Sequence, residues 1–304
     1  MTERPARAEV ALAAATVAVL AWSFGPIIVR TVGVSTPTVV FWRMWLAQPV
    51  MIGAAYVAGG RLSLPLLRRA FLPGVLFGLS IITGFASYKT TSVANATLIA
   101  NLQPALVLFV APKLFGERIS KRQISLAVAA FGGILLVVFG AASSSGAALR
   151  GDLLAAANLV IFTVYFVRMK QIRNDGVHAY SLIASVFLVG ALTVTPWSVL
   201  ASHDLGSVNL RGYAFLLLMV LGPGLLGHGT MTWAQRHLDI TVASMLTLLS
   251  PVLSTIWAWA IYAEVLAPVQ ALGAVVVLGA LAGIVVDARR DSVELEAALS
   301  GVAE

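Results

Sequence analysis

The chain of 304 residues has no cysteine, which excludes disulfides, thiolate catalysis and cysteine-held metals. Charge is scarce too: 11% of residues are Asp, Glu, Lys or Arg, against about a quarter in a soluble domain. All 13 acidic residues lie in connections, in the tails or at the ends of apolar stretches, so no carboxylate is available mid-stretch to carry a proton or bind sodium. No G-x-x-x-x-G-K-S/T run exists to cradle a nucleotide, and no H-E-x-x-H to hold a catalytic metal. What fills the chain instead is apolar: 59% of residues are hydrophobic and the mean hydropathy is +0.93. No soluble core hides that much apolar surface. The composition excludes an ordinary cytoplasmic enzyme, a disordered chain and, despite a net charge of +7, a nucleic-acid binder. It predicts an all-α integral membrane protein.

A membrane-spanning helix needs about 20 mainly apolar residues. Ten stretches qualify: 10–30, 37–58, 70–89, 92–112, 123–141, 151–169, 179–200, 212–234, 241–262 and 268–286. The first, following a short polar start, is read as a retained helix rather than a cleaved signal. With the N-terminus on the cytoplasmic side, fifteen Lys and Arg fall inside and four outside, with Arg43 within a span. That asymmetry places both termini in the cytoplasm. Most tryptophans sit near span ends, where amphipathic rings prefer the interface; Trp22 sits deep.

Sliding the chain by 147 residues aligns Ala94–Phe139 with Thr241–Val286 without a gap, and 11 of the 46 positions are identical. Pro104 meets Pro251, Glu117 meets Glu264, Gln123 meets Gln270 and Gly132 meets Gly279. The reading is two five-helix repeats, 1–145 and 146–290, followed by a cytoplasmic tail at 291–304. An odd number of helices inverts the second repeat, and inverted repeats typify secondary transporters, whose site lies between the repeats near the midplane.

Certain segments carry a family likeness: Ala21-Trp22-Ser23-Phe24, Phe41-Trp42-Arg43-Met44, Gly151-Asp152-Leu153, and the spans from Pro104 to Gly116-Glu117 and from Pro251 to Ala263-Glu264. In these and in its pattern of spans the chain resembles the ten-helix EamA-type members of the drug/metabolite transporter superfamily. Ala263 departs from the pattern, where a Gly before the Glu is usual. The resemblance implies a secondary transporter of small metabolites, foremost an exporter of amino acids or similar amphipathic compounds across the plasma membrane by alternating access. An importer, or a lipid-handling or sensor protein on the same scaffold, are the alternatives. A membrane-embedded enzyme finds no acid partner for its one buried histidine. The expected partners are a small-molecule substrate and membrane lipid, with no cofactor, metal, nucleotide or nucleic acid.

Polar groups inside spans are costly and mark candidate sites. His228 lies in a span among Gly222-Pro223-Gly224, Gly227 and Gly229, where it either serves substrate or proton or bonds to a neighbouring helix. Trp22 either stacks on cargo or fills the core. Thr97, Asn101 and Pro104 share one helix face, as do Ser244, Thr247 and Pro251; Asn158, Phe162 and Tyr165 form a stripe, and so do Ser80, Thr83 and Ser87. The candidate substrate contacts are therefore Trp22, Ser80, Thr83, Asn101, Asn158, Tyr165, His228 and Thr247. Pro104, Gly224 and Pro251 are candidate helix breaks or hinges. Arg43, Glu117 and Glu264 are candidate gate or helix-end residues: Arg43 snorkels to the interface or clamps a carboxylate, and the two glutamates cap helix ends or pair in alternating gates.

Overall fold

A computed structural model describes residues 3–90, 99–141, 149–262 and 268–300. Thr97, Ala263 and Glu264 lie outside the described residues. Helices run over α1 (Glu3–Ser23), α2 (Gly25–Val32), α3 (Thr36–Val57), α4 (Leu64–Thr90), α5 (Gln103–Phe115), α6 (Lys121–Ala141), α7 (Leu149–Asn174) and α8 (Ala179–Ala201). They continue as α9 (Leu210–Met219), a π-helical segment (Val220–Gly229), α10 (Thr230–Ala234), α11 (Ile240–Leu246), α12 (Leu249–Tyr262) and α13 (Pro268–Ser300). No strand occurs among the described residues. The last helix runs on through the charged segment that follows the tenth stretch.

Among the described residues six helices are long and apolar enough to cross a bilayer: Leu64–Ser87, Leu149–Asn174, Ala179–Ala201, Leu210–Ala234, Ile240–Ile261 and Pro268–Asp287. Ala8–Ser23 and Gln103–Phe115 are shorter apolar helices. The protein is an all-α, multi-pass integral membrane protein.

The principal helix pairings each join an element before residue 145 to one after it: α6 with α13, α4 with α7 and α8, α3 with α8, α1 with the π segment and α10, α2 with α9, and α5 with α11. The two halves of the chain are thus packed through one another rather than as separate bodies. In lipid, close approach and van der Waals packing replace the hydrophobic drive. At the α6–α13 crossing a Cβ on Gly133 would stand 2.8 Å from the Gly273 carbonyl, so only glycine lets these backbones meet.

Several spans are broken. Phe24 interrupts the first before Gly25-Pro26, and the freed Ser23 carbonyl accepts the Ser254 hydroxyl at 2.9 Å. Turns at Asn101–Leu102 and Thr247–Leu248 interrupt the fourth and ninth. In the eighth, Pro223 cannot donate to the ladder, and the backbone widens into π turns.

Candidate functional site

The widened π segment delivers His228 into the interior. His228 is buried and ringed by Trp22 of α1 at 4.9 Å between centroids, Phe77 of α4 at 4.9 Å and Phe187 of α8 at 5.7 Å. Phe77 also lies 5.2 Å from the Tyr165 ring of α7, which in turn sits 5.5 Å from Phe162. Helical spacing explains the α7 contribution, because Phe162 and Tyr165 are three apart on one face. No hydrogen bond to a His228 ring nitrogen forms among the described residues.

Trp22 has a structural task as well. Its indole N–H donates to the Pro223 carbonyl at 3.1 Å, one of the backbone groups of the widened segment. Such groups are tolerated in a membrane only where protein covers them. The approach depends on Gly227, where a Cβ would stand 2.5 Å from Trp22 Nε1. Gly224 is buried in the same segment, against Met51 of α3.

The remaining candidates divide. Thr83 of α4 and Asn158 of α7 face each other, with Thr83 Oγ1 3.5 Å from Asn158 Oδ1, while the Thr83 hydroxyl donates to the Leu79 carbonyl at 2.8 Å. Ser80 donates to the Phe77 carbonyl of its own helix at 2.9 Å, and Thr247 to the carbonyl of Ser244, three residues before it, at 2.6 Å. Asn101 and Thr247 sit in the two turns that interrupt their spans. Pro104 falls in the first turn of α5 and Pro251 in the first turn of α12, where proline's missing N–H costs no ladder bond.

Arg43 is 9% exposed, and its Nε has no hydrogen-bond partner. Glu117 does cap a helix, but not its own: its carboxylate accepts the backbone N–H groups of Ile240 and Thr241 at 2.6 and 3.2 Å, satisfying the start of α11.

Sequence reading missed several residues. Phe77 and Phe187 look like core residues in isolation; only the spacing of Phe77 from Ile81 and Gly84 hints at a shared face. Lys170 and Arg173, which in the sequence are two of the fifteen cations on the cytoplasmic side, are buried at the end of α7. Lys170 Nζ donates to the carbonyls of Gln235 and Leu238, both at 2.6 Å. Arg173 Nε donates to the Thr232 carbonyl at 2.9 Å, and its Nη1 to that of Val177. At the opposite end of α3, Asp204 accepts the Ser35 N–H at 2.7 Å and the hydroxyls of Ser35 and Thr38, both at 2.5 Å. Partial desolvation opposes its ionisation, but these hydrogen bonds and the nearby His203 outweigh it and hold the carboxyl well below the usual carboxylate range.

Comparison with known proteins adds a lineage to this geometry. Residues 10–139 and 149–286 each match the profile of the EamA-like transporter family. The chain is 26% identical over 265 residues to the uncharacterised transporter YyaM of Bacillus subtilis, covering 83% of this chain and 85% of that one. It is 28% identical over 190 residues to the aromatic amino acid exporter YddG of Ancylobacter novellus, covering 60% of this chain and 63% of that one. It is 25% identical over 218 residues to the pseudopaline exporter CntI of Pseudomonas aeruginosa, covering 71% and 73%. A solved crystal structure superposes with a TM-score of 0.79 over 92% of this chain at 22% identity, which establishes a shared fold.

Proposed function

Because the chain belongs to the EamA-like transporter family, and is a transporter rather than an enzyme, we propose that it exports amphipathic amino acids, aromatic ones foremost, across the plasma membrane. The carrying observation is the cluster of Trp22, Phe77, Phe162, Tyr165 and Phe187 gathered about the buried His228, in a helix whose backbone is opened at Pro223. Such a lining offers flat apolar faces to an aromatic side chain and a ring nitrogen to its polar end. The similarity to YddG, an aromatic amino acid exporter, and to CntI, a pseudopaline exporter, supports export as the direction.

The proposed mechanism is alternating access between the repeats 1–145 and 146–290, with both termini cytoplasmic. Trp22, Tyr165 and His228 form the centre of the site. Ser80, Thr83, Asn101, Asn158 and Thr247 offer polar contacts around it; a hydroxyl already donating to its own helix keeps lone pairs for a substrate N–H. The interruptions beside Pro104 and Pro251, and the widened segment at Gly224, supply the bends. Glu117 is one gate: while it holds the N–H groups of Ile240 and Thr241, the segment after α5 stays closed against α11. Glu264 takes the matching part at the other side.

The test is counterflow in proteoliposomes preloaded with unlabelled amino acids. Labelled phenylalanine and tryptophan should accumulate transiently above protein-free vesicles. Absence of accumulation for aromatic and branched members alike would overturn the amino-acid assignment.

A further inference from the structure

Arg43 is the feature that the aromatic cluster leaves unexplained. It lies on the edge of the buried face of α3, between Val39, which packs with Leu216 and Met219 of α9, and Ala47, which packs in the same apolar cluster as Phe77, Tyr165 and Phe187. The next residue of α3, Met44, is itself fully buried in that cluster. Arg43 is 9% exposed, its Nε is buried without a partner, and it forms no ion pair among the described residues.

An arginine so placed needs a counter-ion, because a desolvated charge left unpaired is strongly unfavourable. None is paired with it among the described residues. No Asp or Glu occurs between residues 10 and 116, between 176 and 203, or between 205 and 238, which covers α3, α4, α8, α9 and the π segment. Asp204, the carboxylate at the start of α3, is held by Ser35 and Thr38. Among the described residues the other buried cations, Lys170 and Arg173, are satisfied by carbonyl oxygens, and Arg43 alone of the three is kept open.

We propose that Arg43 is the anion subsite of the transport site: the substrate's carboxylate docks on its guanidinium, with the substrate's apolar body on the aromatic cluster around His228. The inference rests on the export reading above and sharpens it. The cargo class is then small aromatic carboxylates, including amino acids, and not aromatic amines. The guanidinium is planar and forked, so it matches a carboxylate in two parallel bonds as an ammonium cannot.

The experiment compares carboxylates with their amides on the full chain. In counterflow, wild type should discriminate L-tryptophan from L-tryptophan amide. Arg43→Gln should raise KM for the acid about 10- to 100-fold while leaving the amide unchanged, and Arg43→Lys should recover part of the loss. Undiminished discrimination in Arg43→Gln, beside an active wild type, would overturn the subsite and leave the export reading standing. If wild type moves no amino acid, the export reading fails, and the subsite is judged by a second readout. Indole-3-acetate should raise the melting temperature of the detergent-solubilised wild type but not of Arg43→Gln, and indole-3-acetamide should affect neither. Equal stabilisation of both proteins by the acid, or of neither, would overturn it. Size-exclusion profiles of both variants establish that they fold.

Discussion

Two regions along the rod Leu210–Ala234 and its extension handle buried polar groups in opposite ways. On α3, which packs against the segment holding His228, the buried Arg43 Nε and Gln48 Oε1 find no hydrogen-bond partner among the described residues. Beyond α10, by contrast, the carbonyls of Thr232, Gln235 and Leu238 are all taken by Arg173 and Lys170, and the N–H groups of Ile240 and Thr241 by Glu117. Both regions are buried, so exposure does not explain the contrast. Beyond α10 the charged groups are all satisfied within the chain and only the neutral Thr241 Oγ1 lacks a partner, whereas at Arg43 it is a charged group that stays open.

The widest gap should appear between Lys170 and Arg43. Lys170→Met strips two carbonyls of their donor and should cost about 2–4 kcal/mol, with a fall of roughly 5–10 °C in the apparent melting temperature. Arg43→Gln removes an unpaired charge and should leave that temperature unchanged or raise it. Scanning fluorimetry of the two purified variants measures both, and a comparable loss from each would erase the distinction between the regions.

A middle-sized effect is expected where the regions meet. Gly227→Ala puts a Cβ 2.5 Å from Trp22 Nε1, so the indole must leave the Pro223 carbonyl and the His228 ring. The overpacking should cost about 1–3 kcal/mol. In a Trp22→Ala background the same substitution should cost almost nothing, and a double-mutant cycle on melting temperatures reads the coupling directly. Additive losses would mean that the close approach does not govern the site.

The smallest effect concerns Asp204 at the start of α3. Its carboxyl titrates lower in the folded chain than in the unfolded one, where an Asp titrates near pH ~3.9. The stability it contributes is therefore fully present above that pH and is lost as pH falls below it. Asp204→Asn should lower the melting temperature slightly at pH 6, and the difference should shrink steadily as pH falls from about 4 toward 2.5. A pH-independent difference would assign the effect to packing instead.

Much of this was legible in the residues. Twenty-residue apolar stretches leave a chain in lipid almost no alternative to helix, so helical class and placement follow from composition. Proline and glycine act locally through φ and the missing N–H, which is why Pro223 and its glycines announced a disturbed helix. His228 and Trp22 stood out because each is unusual at its depth. Tyr165 came from simple three-and-four spacing. Phe77 and Phe187 could not be read in this way: a phenylalanine in a membrane helix looks the same whether it meets lipid, core or a histidine.

The sequence by itself determined that this is a helical membrane protein, where its helices weaken, and that His228 and Trp22 lie deep. Those properties depend on residues within one helical turn or one bilayer thickness of each other. Only the tertiary structure decided that Lys170 serves carbonyls 65 and 68 residues away, that Glu117 caps a helix 123 residues on, and that Arg43 stays buried with its Nε unpaired. A side chain's partners are set by how helices cross, and those crossings join distant parts of the chain through the summed packing of whole faces.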